Sequence, residues 1–450
     1  MPSSEPSPGR GPLSGSAAAI AAGRLSPVEL TERTLAAIEA TEPHLNAYAT
    51  VLADSARASA AAQSRRGPLH GVPVGVKDLI DTAGVRTAYG SPRFAAHVPA
   101  RDAASVRLLR DAGAVIVGKH TTHELAWGGR TDSPFYGPTR NPYRRGRIPG
   151  GSSGGSAASV AAGSSLGALG SDTAGSVRIP AALSGCVGFK PTRGTIPLDG
   201  VLPLAPSLDH LGVLAATVDD AALLMSAFTA PAEPVRGAPR VGWLGGWFDA
   251  VPAPGVRAAL AATRALLDEH GVTVGDVTVP DEPRMPEAVL GRILAEAGAF
   301  HRRAFEQDPT LFGPDITELM RMPPRTDEEA EQDEAAIGRM TAFLERALDA
   351  YDVLACATVP ITAPPIGAMT VAAGGRIRPI ELVLTRHTSP FNAAGLPAVS
   401  VPVALADGLP VGLQLVGAAG RDGAVLDAAR LVERLVPPLP RPSVTERSTP

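Results

Sequence analysis

The chain has 450 residues, of which 44% are hydrophobic, and its formal net charge is −4. This length supplies enough apolar side chains for a large core, and the balanced charge disfavours nucleic acid or an anionic membrane surface as a partner. No signal peptide and no apolar run of about 18 residues is recognisable, so we expect a cytoplasmic protein without membrane contact.

The first third of the chain alternates helix and strand signals. Ser26-Pro27-Val28-Glu29 has the features of a helix start: a capping serine, a proline at the first helical position and a glutamate three residues after the cap. Residues 72–76 predict a short strand. Residues 102–112 predict a helix capped by Asp102, and residues 114–117 predict a buried strand.

Residues 150–185 consist mostly of Gly, Ser and Ala, a composition typical of flexible linkers. The segment also contains several apolar residues together with Asp172 and Arg178, which a linker does not require. Small residues allow backbones to approach one another and a ligand closely. We therefore predict that this segment is ordered.

The remainder of the chain continues the alternation. Residues 281–350 predict helices with a break at Pro323-Pro324, and Asp407-Gly408 predicts a turn between two strands. Strands and helices that alternate along a chain predict an α/β fold, here a single large domain with one mixed β-sheet covered by helices on both faces. The other predicted strands are 186–189, 241–244, 353–357, 398–405 and 411–416, and the other predicted helices are 218–228 and 256–267.

Lysine is rare in this chain. Lysine and arginine total 41, but only Lys77, Lys119 and Lys190 are lysines. A guanidinium does not lose its proton in proteins, so one reason to retain a lysine is a site that needs a neutral amine. Packing shape is the other reason, and the composition does not separate the two.

Three interpretations of the Gly- and Ser-rich segment compete. A phosphate-binding loop lacks support because neither G-x-x-x-x-G-K-[ST] nor G-x-G-x-x-G after a strand is present. A tightly packed structural segment explains the small residues, but not the many hydroxyls, which need partners when buried. Acyl transfer explains the hydroxyls, since it requires a nucleophile, a base and oxyanion donors.

The base for such chemistry is not an evident histidine. No G-x-S-x-G elbow is present, and none of the nine histidines lies in a recognisable triad context; we expect His120 and His123 to be structural or surface residues. A buried lysine can serve as the base, because desolvation disfavours its charged form. Lys77 follows an apolar run and is the candidate.

At this point the chain resembles the amidase signature family, over residues 17–435. The resemblance is carried by five segments: residues 71–78 with Lys77, residues 150–156 with Ser152, residues 170–180 with Ser176, residues 188–192, and Pro390-Phe391-Asn392 near the C-terminus.

The resemblance implies a catalytic triad of a serine, a second serine after a cis peptide bond, and a lysine. Ser176 is then the nucleophile, Ser152 the proton relay and Lys77 the general base, and no cofactor is needed. The implied oxyanion hole consists of the backbone N–H groups of Thr173, Ala174, Gly175 and Ser176. The family usually has two glycines before the nucleophile, whereas this chain has Ala174-Gly175, and alanine is strained there if the position needs a positive φ.

Asp172 and Arg178 are supporting residues, which we expect to pair across the nucleophile loop. No metal-binding motif is present, so no metal is predicted, and Cys186 and Cys356 are expected to be buried small side chains.

The domain organisation that we expect is a flexible tail over 1–16, the amidase signature domain over 17–436 and a C-terminal tail over 437–450. Residues 281–345 are expected to be a variable helical segment that lines the substrate pocket.

The predicted function is hydrolysis of a non-peptide linear carboxamide to an acid and ammonia or an amine, with a small-molecule amide as substrate and a homodimer as an option. Two alternatives remain open. One is the glutaminase (A) subunit of a tRNA-dependent amidotransferase, which the low basicity and the absence of an obvious docking segment disfavour. The other is a non-catalytic scaffold protein.

Overall fold

The structure, a computed structural model, describes residues 11–62, 67–230 and 237–444. Within these ranges the helices are α1 Pro12–Ala21, α2 Pro27–Leu45, α3 Ala53–Ala62, α4 Ala104–Asp111, α5 Gly154–Ala161, α6 Arg178–Ser184, α7 Val218–Met225, α8 Pro254–Glu269, α9 Met285–Gln307, α10 Pro314–Arg321, α11 Asp327–Ala350, α12 Ile380–Thr385, α13 Ser389–Ala393 and α14 Asp422–Leu435. The strands are β1 Tyr48–Val51, β2 Pro73–Lys77, β3 Val115–His120, β4 Gly167–Asp172, β5 Val187–Lys190, β6 His210–Ala215, β7 Val241–Gly246, β8 Val274–Val279, β9 Val353–Ala357, β10 Thr370–Ala373, β11 Arg376–Pro379, β12 Ala398–Ala406 and β13 Leu409–Val416.

Eleven of these strands form one sheet in the order β1-β3-β2-β4-β6-β5-β12-β13-β9-β7-β8, and β10 and β11 form a separate hairpin. Strand β2 runs parallel to β3 and β4, and β7 runs parallel to β8 and β9. The other neighbours in the sheet are antiparallel. The prediction of one large mixed sheet is confirmed.

Helices cover both faces of this sheet, as β9 illustrates. Val353 and Ala355 pack in one hydrophobic cluster with side chains of α8 and α14. Leu354 and Cys356 pack in a second cluster with side chains of α9 and α11. Successive side chains of a strand point to opposite faces, so each cluster marks one covered face, and the apolar runs of the sequence reflect strands buried on both sides.

Several local predictions are confirmed. The Ser26 side chain accepts a hydrogen bond from the Glu29 N–H at 3.0 Å and caps α2. Asp407 and Gly408, with φ of 52° and 73°, form the tight turn between β12 and β13. Residues 281–350 are largely helical, and the predicted break at Pro323-Pro324 falls between α10 and α11.

The N-terminal tail was expected to extend too far. Helix α1 begins at Pro12; Leu13 is fully buried, and the Ser14 N–H donates to the Asp220 carboxylate at 2.8 Å. Residues 12–16 therefore belong to the folded structure, and residues 1–10 lie outside the described ranges. The composition of this stretch misled because the contacts that hold α1 come from residues about 200 positions later.

Two further expectations need correction. The cap of α4 is Ala103, not Asp102, whose carboxylate instead accepts hydrogen bonds from the Ala83 N–H and from Arg110. Within the expected C-terminal tail, Val444 is buried against side chains of α2, and residues 445–450 lie outside the described part of the chain. No helix among the described residues has both the length and the apolar character to cross a bilayer.

The topology brings the predicted site residues to one edge of the sheet. Lys77 is the last residue of β2, and Asp172 is the last residue of β4. Because β2 and β4 are parallel neighbours, their carboxyl ends lie side by side. Ser152 and Ser176 lie in the short turns that lead into α5 and α6.

Candidate active site

The turn after β4 carries Ser176, the predicted nucleophile. Gly175 has a φ of +130°, and a Cβ added there would lie 2.2 Å from Thr388 Oγ1. Only glycine fits this position without strain. Ala174 does not have a positive φ, so the alanine that departs from the family pattern is accommodated without the strain considered above.

The turn before α5 carries Ser152, the predicted relay, which is fully buried. The peptide bond between Gly151 and Ser152 is cis, as the family resemblance implies. The N–H of the next residue, Ser153, donates to the carbonyl of Ser176 at 3.1 Å. This hydrogen bond joins the two serine-bearing turns.

Lys77 is fully buried, and its Nζ lies 2.6 Å from Ser152 Oγ and 2.8 Å from Ser171 Oγ. The lysine and the relay serine, 75 residues apart in sequence, are thus in hydrogen-bond contact. Ser171 was not identified from the sequence. Its signal was weak, because it is one of many serines in the segment, and only its place on β4 beside β2 brings it to the amine.

Burial lowers the pKa of Lys77 from 10.5 to about 7, and the more distant carboxylates of Asp172 and Asp209 oppose that shift. A pKa near neutrality gives an amine that accepts and returns protons at physiological pH. The lysine predicted as the base therefore has the electrostatic environment that a base requires.

Asp172 and Arg178 form a fully buried ion pair with Oδ1 and Nη2 2.8 Å apart. Burial alone would raise the pKa of Asp172, but Arg178 holds it well below its usual value. The other oxygen, Asp172 Oδ2, accepts the N–H of Val177 at 3.1 Å. The carboxylate thus fixes the turn that carries Ser176 from both ends.

The Arg178 guanidinium is held by two residues that were not identified from the sequence. Its Nη1 donates to Gln414 Oε1 at 2.7 Å, and its Nη2 donates to Asn392 Oδ1 at 2.5 Å. Asn392 lies in the Pro390-Phe391-Asn392 motif quoted above, so the resemblance did contain a signal for it. Gln414 lies inside β13, and nothing in the local sequence marks it.

The predicted oxyanion donors are not equivalent. The Gly175 N–H donates to Asp172 Oδ1 at 2.8 Å. Within the described part of the chain, the backbone N–H groups of Thr173, Ala174 and Ser176 have no comparable acceptor. Three of the four implied donors therefore remain available for a substrate oxygen.

The histidines singled out in the sequence are both buried. His120 contacts the hydroxyls of Ser156 and Ser159 at 3.2 and 3.0 Å, and burial lowers its pKa to about 3. His123 is 1% exposed and lies near Asp132 and Asp315. Neither histidine contacts Ser176, which agrees with a structural role and excludes a surface position.

Cys186 and Cys356 are both buried and unpaired, as expected. Burial raises the pKa of each thiol to about 12, so both behave as small apolar side chains.

Comparison with known proteins places this geometry in a family. The protein-family model described as Amidase matches residues 29–426. The glutamyl-tRNA(Gln) amidotransferase of Nitratidesulfovibrio vulgaris (strain DP4) has an A-chain component that is 36% identical, over 91% of this chain and 93% of that protein. AtzE, a component of the 1-carboxybiuret hydrolase of Pseudomonas sp. (strain ADP), is 35% identical, over 92% of this chain and 96% of that protein. Among solved structures, one described as an amidase is 34% identical, with a TM-score of 0.87 that covers 94% of this chain and 100% of that one.

Proposed function

Because the chain belongs to the amidase signature family and is an enzyme that acts on carbon–nitrogen bonds, we propose that it hydrolyses a linear carboxamide through an acyl-enzyme on Ser176. The products are a carboxylic acid and ammonia or an amine. The observation that carries the proposal is the 2.6 Å contact between Lys77 Nζ and Ser152 Oγ at a buried position. A fully buried lysine in contact with a hydroxyl forms a proton acceptor that is linked to a proton carrier.

The proposed mechanism moves one proton along this pair. Neutral Lys77 accepts the proton of Ser152, Ser152 accepts that of Ser176, and the Ser176 oxygen attacks the amide carbonyl. The proton returns along the same path to the leaving nitrogen, whose C–N bond then breaks. A water molecule, deprotonated by the same relay, hydrolyses the acyl-enzyme and regenerates Ser176.

Charge on the substrate oxygen is stabilised, in this proposal, by the backbone N–H groups of Thr173, Ala174 and Ser176. Removal of one such donor typically costs about 10²–10³-fold in kcat. The Gly175 N–H has a different role, because its bond to Asp172 holds the turn in place. Asp172 and Arg178 thus act as a rigid support, and residues 281–345 remain the segment that we propose for the substrate pocket.

The proposal is tested by mapping the covalent adduct that a fluorophosphonate forms. We expect the wild-type adduct on Ser176. Ser176→Ala should show no adduct and an activity about 10⁶-fold lower. Ser152→Ala should be slowed about 10²–10⁴-fold, as for the loss of acid–base assistance, yet still be acylated on Ser176. An adduct on Ser152 in the wild type would exchange the two roles.

The substrate class is tested by a screen of aliphatic, aryl and peptide amides and L-glutamine, with detection of released ammonia or amine. We expect turnover of a simple amide by the chain alone. Wild-type protein that forms the Ser176 adduct but releases nothing from any simple amide would confine the function to a channelled or partner-dependent substrate.

A second candidate function is the glutaminase component of a tRNA-dependent amidotransferase. It is favoured by the 36% identity to the amidotransferase component of N. vulgaris over 91% of this chain. The high structural similarity to an amidase, with a TM-score of 0.87, supports the first candidate. Activity on glutamine alone that requires transfer RNA, together with a copurifying partner protein, would reverse this order.

A further inference from the structure

Residues 121–133 form a buried loop between the Ser152 turn and helix α10, and we call it the bracing loop. Eleven of its thirteen residues are buried, and the other two, Gly128 and Asp132, are half-buried. None of its side chains belongs to the proposed triad. The loop therefore invites the question of what it holds in place.

One side of the bracing loop holds the backbone around the relay serine. The His123 N–H donates to the carbonyl of Ser152 at 3.2 Å. The Thr131 hydroxyl donates to the carbonyl of Gly150 at 2.9 Å, with the carbonyl of Ser152 at 3.3 Å. The Gly154 N–H donates to the same hydroxyl at 3.2 Å. The main chain on both sides of Ser152 is thus anchored to this loop.

The other side of the bracing loop carries a buried ionic cluster. Arg130, 3% exposed, contacts the carboxylate of Asp315 through Nη2, and its Nε lies 3.4 Å from both Asp132 and Glu381. His123 Nε2 lies 3.5 Å from the Asp315 carboxylate. Asp315 is in the first turn of α10, and Glu381 is in α12. Two helices outside the loop therefore set the position of its charged side chains.

The same His123 ring connects the two sides. Its Nδ1 accepts the Thr131 N–H at 3.2 Å, which leaves Nε2 to carry the hydrogen that points to Asp315. A movement of Asp315 is thereby transmitted through one imidazole to Thr131, the residue whose hydroxyl holds the Ser152 turn.

Helix α10 meets the bracing loop at a second point. The Glu124 carboxylate accepts the N–H of Gly313, the residue before α10, at 2.9 Å. Its other oxygen accepts the Ser91 hydroxyl at 2.6 Å. Two contacts, through Asp315 and Gly313, therefore fix the start of α10 against the loop.

The loop backbone is strained, so it depends on these outside contacts. Leu125, Ala126 and Thr131 have φ of 53°, 59° and 58°. This left-handed region is unfavourable for residues other than glycine, and above all for a β-branched one such as Thr131, and it persists where the surroundings enforce it. Loss of an enforcing contact should let the loop relax and shift its hydrogen bonds to the Ser152 turn.

We propose that His123 and Arg130 are positioning residues for Ser152, and that Asp315 of α10 holds them in the orientation that the proton relay requires. The proposal rests on the proposed role of Ser152 as relay and deepens it. Helix α10 belongs to residues 281–345, the segment proposed for the substrate pocket. A substrate that fits this segment would therefore also complete the alignment of Ser152 with Lys77.

A bound cation is an alternative use of the cluster, since ligand atoms of His123, Asp132 and Asp315 lie within 4.8 Å of one another. The guanidinium of Arg130 contacts two of these three residues and already supplies the positive charge. The geometry therefore points to an internal ion-pair network in place of a metal site.

The test is Asp315→Asn in the full chain, with steady-state kinetics on an amide that the screen identifies. We expect kcat to fall about tenfold while KM changes less than about twofold, because Ser152 moves protons and does not bind substrate. Glu318→Gln is the matched control: it removes one charge from the same helix at an exposed position without a contact to the loop. Its kcat should equal that of the wild type.

A double-mutant cycle separates positioning from general damage. In a Ser152→Ala background, Asp315→Asn should cause no further loss of kcat or of the fluorophosphonate labelling rate of Ser176. Equal fold losses in both backgrounds, or an effect confined to KM, would overturn the proposal. If Ser152→Ala itself is as active as the wild type, the proposed relay fails instead, so the two failures are distinguishable.

Arg130→Lys provides a second variant if Asp315→Asn does not fold. It keeps the positive charge but loses the forked contacts to several carboxylates. We expect the same loss of kcat with unchanged KM in the wild-type background, and none in the Ser152→Ala background. An Arg130→Lys variant with wild-type kcat would contradict the proposal.

Discussion

Lys77 and Lys119 lie on adjacent parallel strands, and both are fully buried, but they have partners of different kinds. Lys119 Nζ lies 3.3 Å from the Asp78 carboxylate, which favours its charged form. Within the described residues, Lys77 has no carboxylate in ion-pair contact and touches only the hydroxyls of Ser152 and Ser171. Burial lowers the pKa of both amines, but only Lys119 has a contacting negative charge that opposes the shift.

The third lysine shows that a lowered pKa is not sufficient for a base. Lys190 is fully buried, and burial lowers its pKa well below 10.5. Its Nζ donates to the backbone carbonyls of Leu396 and Pro191 at 2.5 and 3.2 Å. A carbonyl has no proton to transfer, whereas a serine hydroxyl does. The contact with Ser152 therefore distinguishes Lys77 from both of the other lysines.

The largest expected effect is the loss of activity on replacement of Lys77. Lys77→Arg and Lys77→Ala should both lose about 10⁴-fold or more in kcat/KM, because arginine keeps the charge but cannot accept a proton. The measurement is kcat/KM on the amide substrate for both variants. An arginine variant that keeps more than about a tenth of the wild-type activity would remove Lys77 from the role of base.

The next effect concerns stability at the other lysine. Lys119→Met leaves the Asp78 carboxylate buried without its partner, so the free energy of unfolding should fall by about 3–5 kcal/mol. Denaturant unfolding measures this change. The folded variant should keep its kcat within about threefold at low temperature. A loss of kcat as large as that of Lys77→Arg would show that the two lysines act as one unit.

Lys77→Met should change stability in the opposite direction. The shift of the Lys77 pKa from 10.5 to about 7 penalises the fold by about 1.4 kcal/mol per pKa unit wherever the unfolded lysine is protonated. Some of the gain is offset by the two hydroxyls that lose their partner, at about 1 kcal/mol each. We expect a net stabilisation of about 2 kcal/mol at pH 7, measured by denaturant unfolding.

The pH dependence gives the sign check for that prediction. The folded-state pKa is lowered, so the penalty is fully present below about pH 7 and disappears as the pH rises towards 10.5. The advantage of Lys77→Met over the wild type should therefore shrink between these pH values. An advantage that is constant from about pH 7 to 10 would mean that Lys77 is charged in the folded protein.

The smallest effect is the slope of the activity profile. Only the neutral amine accepts a proton, so kcat/KM should rise about tenfold per pH unit below the Lys77 pKa of about 7 and level off above it. Lys119→Met should leave the midpoint of this limb in place. A profile that is flat from mildly acidic to alkaline pH would exclude a titrating lysine as the base.

Much of the fold and of the site follows from local sequence patterns. The cap at Ser26, the turn at Asp407-Gly408 and the buried strands depend on neighbouring residues, and the structure confirms them. The family resemblance identified Lys77, Ser152 and Ser176 as the candidate triad, because the motifs that carry it are contiguous. Nothing in those patterns required knowledge of which strand lies beside which.

The tertiary structure alone decided how the site is supported. Ser171 reaches Lys77 only because β4 lies beside β2, and Gln414 reaches Arg178 from a strand 236 residues later. The N–H of Gly175 turned towards Asp172, and Ala174 proved compatible with its φ, although neither outcome is visible in the residue types. Local patterns report on the preferences of a few neighbouring residues, whereas hydrogen bonds and burial at the site depend on contacts between distant segments, which form only when the sheet assembles.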